Sequence, residues 1–164
     1  MKNITLGQDF FFGGKAIFTV ENTQRKEHVT YKIKITKPSP RFRFPSTLLL
    51  QMTGTDNEKS YSYVGRVNRE TWTRRSDNTV HAKGTVDLTD KSKFADGSLE
   101  VVRGRWIVDH IINGKQIPDH LEVRHCQRCG RCGRTLTTPE SLNRGIGPEC
   151  WDKMHPTYSD ENED

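Results

Sequence analysis

From residue 28 to 36 apolar and polar side chains alternate without a break. Val29, Tyr31, Ile33 and Ile35 fall on one side, and Thr30, Lys32, Lys34 and Thr36 on the other. A period of two is the signature of a strand with one buried face. Residues 15–20 repeat it more weakly through Ile17, Phe18 and Val20, and the polar residues 21–24 join the two segments as a hairpin. Thr47–Met52 is a third strand. After a turn rich in residues that tolerate φ > 0, residues 60–67 set Tyr61, Tyr63 and Gly65 against Ser62, Val64 and Arg66 as a fourth. Residues 80–88 read as a weak edge strand interrupted by Gly84, and 121–125 as one more short strand. Three prolines bar residues 37–45 from a central strand. Phe10-Phe11-Phe12 is expected to pack on the sheet, and the segment around Trp72 has no clear assignment.

The period changes after residue 96. Leu99, Val102, Trp106 and Ile111 recur at helical spacing, Asp96 or Ser98 can cap the start, and Gly114 suits the position just past the end. The pattern predicts an α+β fold: an antiparallel sheet over 15–88 and one main helix over 97–113, both within a domain of residues 1–120. A zinc-binding module of treble-clef or ribbon type follows over 121–158, then an acidic, disordered tail over 159–164.

Composition adjusts this picture in two ways. The mean hydropathy of −0.82 implies a small core under a heavily polar surface. The net charge is +5, yet four acids lie in the last five residues, so the remainder carries +9 and suits an anionic partner. No apolar run approaches the roughly 18 residues of a membrane span. No apolar segment follows Met1-Lys2-Asn3, so the expected location is the cytoplasm, with no membrane partner.

All four cysteines fall within residues 121–151: Cys126, Cys129 and Cys132 at two-residue gaps, then Cys150 after seventeen more. A two-residue gap lets two thiolates face one ion, and glycine after the second cysteine, here Gly130 and Gly133, relaxes the backbone for that turn. Pro148 suits the first position of a short helix carrying Cys150. Zinc is the expected ion. Disulfides are disfavoured in a reducing compartment, and an iron–sulfur cluster is a rival whose usual proline follows the last cysteine instead of preceding it. Beside Cys129, Cys132 and Cys150, candidates to complete the site are Cys126, His125 and His155, with spacing alone slightly favouring four cysteines.

The tail resembles a family of small proteins encoded by phages and mobile elements, with no assigned function. Its pattern, a histidine, three residues, C-x-x-C-G-R-x-L-T-x-P-E-S and then G-x-G-P-x-C, corresponds to His125, Cys129, Cys132, Gly133, Arg134, Leu136, Thr137, Pro139, Glu140, Ser141, Gly145, Gly147, Pro148 and Cys150. Weaker likeness reaches Gly14-Lys15-Ala16, Phe18-Thr19-Val20, Thr53-Gly54, Asp56-Asn57 and Tyr61, Tyr63 and Gly65. The resemblance implies a zinc site of His125, Cys129, Cys132 and Cys150, with Cys126 as an extra cysteine, and a phage-encoded protein would work in the host cytoplasm. It implies no enzyme activity.

Two function classes follow. In the first, the chain binds nucleic acid through Arg124, Arg128, Arg131 and Arg134 on the knuckle and through Arg41, Phe42 and Arg43, since aromatic rings stack on bases and guanidinium groups hold phosphates. In the second, it binds and modulates a host protein such as a defence nuclease or polymerase, with the same side chains as anchors. Catalysis finds little support. Val108-Asp109-His110-Ile111-Ile112 is similar to a segment of HNH-type nucleases, but only Asn143 and His155 stand as remote partners. No phosphate-binding loop, nucleophile elbow or H-E-x-x-H motif occurs, and no small-molecule substrate is expected.

Overall fold

The structure, a computed structural model, describes residues 1–40, 43–54 and 60–156. Its strands are β1 (Lys15–Asn22), β2 (Glu27–Ile35), β3 (Thr47–Met52), β4 (Tyr61–Val67), β5 (Trp72–Thr73), β6 (Val80–His81), β7 (Val86–Asp87) and β8 (Leu121–His125). Its helices are α1 (Gln8–Phe11), α2 (Leu99–Ile112), α3 (Pro139–Arg144) and α4 (Pro148–Met154). Six strands form one antiparallel sheet in the order β7-β4-β3-β2-β1-β8, and β5 pairs with β6 in a separate ribbon. This is the expected α+β architecture. No helix among the described residues is long and apolar enough to cross a membrane.

The inner face of the sheet carries the core. Ala16, Phe18, Tyr31, Ile33, Leu49 and Val64 are buried there, from neighbouring strands in register. Strict alternation fails in β4. Leu49 pairs with Gly65 but Leu50 with Tyr63, so Val64 is the extra residue of a bulge, and both Val64 and Gly65 are buried.

The helix lies where its pattern placed it, starting at the Ser98 cap and followed by Gly114 at φ +65. Its buried face needs correction. Leu99 and Val102 are 58% and 54% exposed, while Val101, Gly104, Ile107, Val108 and Ile111 face the sheet. The apolar content on both sides hid the face, and Gly104 identifies it. A Cβ there would come within 3.1 Å of Leu49 Cδ2, so glycine permits the close helix–sheet approach.

The interrupted segment 80–88 splits in two around Gly84, whose φ is +84. Val80–His81 joins Trp72–Thr73 in the ribbon, and Val86–Asp87 forms the sheet edge beside β4. A polar network ties the ribbon to the sheet. Buried Asn68 donates to Thr85 Oγ1 (3.0 Å) and Asp87 Oδ2 (3.1 Å), and accepts from Trp72 Nε1 (2.8 Å). His81 Nδ1 lies 2.6 Å from Asp87 Oδ2, and its ring stacks on Trp72 at 4.1 Å.

The sequence-based boundary after residue 120 falls at the start of β8, which belongs to the sheet. Val123 stands opposite Val20, and His125 opposite Phe18. Phe10, Phe11, Leu136, Ile146, Cys129 and Cys150 share one hydrophobic cluster with the sheet residues.

The two faces of α2 give opposite expectations. Ile107→Ala should cost about 2–5 kcal/mol, as large-to-small changes in cores do. Leu99→Ala and Val102→Ala should stay within about 0.5 kcal/mol, the range of ordinary surface changes. Urea unfolding of the three variants checks the assignment; a large loss at Leu99 would restore the sequence-based face.

Candidate metal centre

After β8 the chain turns back on itself as a small knuckle. Cys129 N–H donates to Arg134 O (2.8 Å), Leu136 N–H to Gln127 O (2.8 Å) and Gly133 N–H to Cys129 O (2.9 Å). Gly133 makes this turn at φ +81. Thr138 then caps α3, its hydroxyl accepting from Ser141 N–H, with Pro139 in the first turn. This helix was not anticipated, although a threonine directly before a proline is a start signal. Gly145, at φ +73, ends α3, and Pro148 opens α4, whose first turn carries Cys150 as expected.

These three pieces of backbone bring the sulfurs of Cys129, Cys132 and Cys150 within 4.8 Å of one another. Thiolates on a tetrahedral zinc, each about 2.3 Å from the ion, stand roughly 3.8 Å apart, so the triad fits one ion with little movement. Its surroundings act differently on two of the thiols. Burial alone would raise the Cys129 thiol, but the backbone N–H groups of Gly147, Cys132 and Arg131 outweigh it and bring Cys129 down to about 7. Cys150 is pushed up by burial and by the neighbouring thiols of Cys132 and Cys129. The triad is a cysteine cluster that could hold a metal ion.

The remaining ligand candidates lie outside that group. Cys126 is half-buried, and burial raises its thiol against the pull of Arg128. His125 Nδ1 accepts from Gln127 N–H (2.8 Å), and its Nε2 lies 2.5 Å from Leu142 O, so Nε2 carries the proton. His155 contacts Asp9 through Nε2 (2.9 Å) and lies against Trp151 with its ring tilted by 33°.

The arginines of the knuckle are more engaged than their sequence neighbourhood suggested. Acids supplied from elsewhere reach two of them: Glu21 pairs with Arg124 at 2.5 Å, and Glu149 with Arg134 at 3.6 Å. Arg131 lies close enough to Cys150 to favour its thiolate against the raising influences there. Arg43 is exposed in the loop before β3. Arg41, Phe42 and the acidic tail lie outside the described residues. At the nuclease-like segment, Lys115 (2.6 Å) and Asn113 (2.7 Å) hold the Asp109 carboxylate, and His110 Nδ1 contacts Trp106 O at 2.8 Å.

Phe10 locks the knuckle to the sheet. Its side chain is fully buried, and Cβ atoms built at Gly130 and Gly145 would lie 2.8 and 2.5 Å from its Cδ1. Gly130 therefore serves close packing; its φ is not among the positive ones, whereas that of Gly133 is. Lys15 N–H donates to Gly130 O (2.7 Å), and Gly130 N–H to Gly145 O (2.8 Å). Gly130→Ala would also set its Cβ 2.5 Å from the Phe10 carbonyl oxygen, a backbone atom that cannot swing aside. That variant should lose at least about 1–3 kcal/mol, the usual cost of overpacking, measured by urea unfolding.

Residues 119–155 match a family described as "Family of unknown function (DUF6011)". The match covers the cysteine module and its first strand, less than a quarter of the chain, and does not include the N-terminal segments that share the resemblance. No curated protein and no solved structure shows significant similarity to the chain.

Proposed function

We propose that this is a non-enzymatic accessory protein that holds one structural Zn²⁺ and binds nucleic acid. The observation that carries the metal half is the convergence of three cysteine sulfurs within 4.8 Å. Sulfur donors around a small tetrahedral space suit zinc above harder divalent ions. His125 is the proposed fourth ligand. Metal-binding histidines commonly donate their other ring N–H to a carbonyl, and Leu142 O occupies that role here. Zinc would replace the Gln127 amide as the partner of Nδ1, and residues 126–128 would close up to allow it. Gln127 already sits at φ +63, so this loop is the strained part of the knuckle.

The nucleic-acid half is supported by the +9 charge of the body and the concentration of arginine. The likeness of the tail to phage and mobile-element proteins supports an accessory role of that type in a host cytoplasm. No catalytic role is proposed, because Asp109 and His110 are committed to partners on and beside their own helix. A second reading has its own observation. Leu99 and Val102 project from α2 into solvent beside half-buried Trp106, an apolar strip that suits a protein partner.

Elemental analysis of the purified full-length chain should give one zinc per molecule. Iron with visible absorption would overturn the zinc assignment. His125→Ala should lower zinc content and Cys126→Ser should leave it unchanged; the reverse result would place Cys126 in the fourth position.

A further inference from the structure

The antiparallel register gathers a set of cations that are dispersed in the sequence. Lys15 stands opposite Lys34, Lys34 opposite Leu48, and Leu48 opposite Arg66. Residues directly opposite share a face, so these four form a row across β1, β2, β3 and β4. It lies on the outer face, because Ala16, Ile33 and Leu49, one position along, are buried on the inner one. Lys15 and Lys34 are both exposed. Like charges directly opposite on a sheet destabilise it, so this pair costs the free protein something that a polyanion would relieve.

Arg66 also lines an open groove of about 1000 Å³ at the end of the sheet. Arg43, Phe44, Arg69 and Trp72 line it with Arg66, against a single carboxylate, Glu70. Phe44 is 79% exposed, the most solvent-accessible ring among the described residues. Trp72 is 38% exposed but fixed in place by its stack on His81 and its bond to Asn68. The Arg66 guanidinium lies 5.5 Å from the Trp72 ring and 3.5 Å from Asp87, so it too is pre-positioned. Arg43 and Arg69 have no carboxylate partner among the described residues, although Arg69 rests over Phe12 at 4.4 Å.

We propose that this end of the sheet is a binding surface for single-stranded nucleic acid, with bases stacked at Phe44 and Trp72 and phosphates along Arg66, Lys34 and Lys15. The inference rests on the nucleic-acid reading above and places the principal contact at this end of the sheet instead of the knuckle, because the exposed ring of Phe44 lies here. Exposed rings beside guanidinium groups accept any base whose face is free, which a single strand offers and a duplex hides. Three strand spacings separate β1 from β4, about 14 Å, so the row spans several nucleotides. The knuckle borders the row through the Lys15–Gly130 hydrogen bond, so the metal would stabilise the surface without touching the ligand.

The test is fluorescence anisotropy of a labelled 20-nucleotide oligothymidylate, and of a duplex of equal length, with the full zinc-loaded chain across a salt series. Phe44→Ala removes an exposed ring and should leave the melting temperature unchanged, while weakening single-strand binding about 5- to 100-fold, as loss of a stacking platform does. The double variant Lys15→Gln/Lys34→Gln should flatten the salt slope of log affinity by about 1.4, or 0.7 for each phosphate no longer neutralised. Lys26→Gln, which removes the same charge at the β1–β2 turn on the opposite end of the sheet, should change neither. If the wild type binds and all these variants bind alike, this surface is wrong while the nucleic-acid reading stands. Preference for the duplex would also overturn it. If the wild type fails to bind even at low salt, both readings fall and the protein-partner reading takes their place.

Discussion

The placement of the Phe10 ring is the constraint on which the C-terminal third depends. The ring enters the seam between sheet and knuckle, meets Phe11 edge-on at 5.2 Å and lies 5.8 Å from His125. Two separate loops have to approach it, and both do so with glycine, Gly130 and Gly145. Those loops are the ones that present Cys129 and precede Cys150. Hydrophobic burial at one phenylalanine thus sets the distance between sulfurs that lie twenty-one residues apart in sequence. A metal ion would add to this arrangement, but the same cluster of Leu6, Phe10, Leu136 and Ile146 already packs the module against the sheet. Ion and core would then act on one body, unlike an isolated finger whose folding rests on the metal alone.

The parts of the fold legible in sequence were those governed by a single local rule. Alternation in β2, the proline that opens α4 and the Ser98 cap each depend on neighbouring residues only. Where two influences competed, the local pattern misled. α2 carries apolar residues on both sides, and only its close approach to Leu49 at Gly104 distinguishes them. The β4 alternation breaks because a bulge inserts Val64, and a bulge is a property of the pair of strands. β5 escaped assignment, and residues 80–88 read as one strand instead of two, because two-residue strands have no period to detect. The ribbon of β5 and β6 is held by the side chains of Asn68, Asp87 and His81, which meet only in three dimensions.

The site was legible to a similar degree. Spacing identified Cys129, Cys132 and Cys150 as a group because the requirements of a tetrahedral ion are themselves local. Spacing alone slightly favoured Cys126 and the family resemblance favoured His125, a choice that depends on which way β8 presents its last side chain. Charge counting along the chain cannot see how the fold regroups charged side chains. Arg124 and Arg134 looked free of acids in sequence and meet Glu21 and Glu149 in space, whereas Lys15, Lys34 and Arg66, far apart in sequence, fall into one row.

The pairing of β8 with β1 has a consequence for how the chain emerges from the ribosome. The hairpin of β1 and β2 is complete within the first thirty-five residues, yet the outer edge of β1 finds its neighbour only when residues 121–125 arrive. For most of synthesis that edge presents unpaired backbone groups on a strand bearing Phe18 and Val20, the type of template that recruits other strands. Of the strands in the sheet, β8 is therefore the last to be made and the one that covers this edge, and the cysteine knuckle directly behind it packs against the same end through the Lys15–Gly130 hydrogen bond.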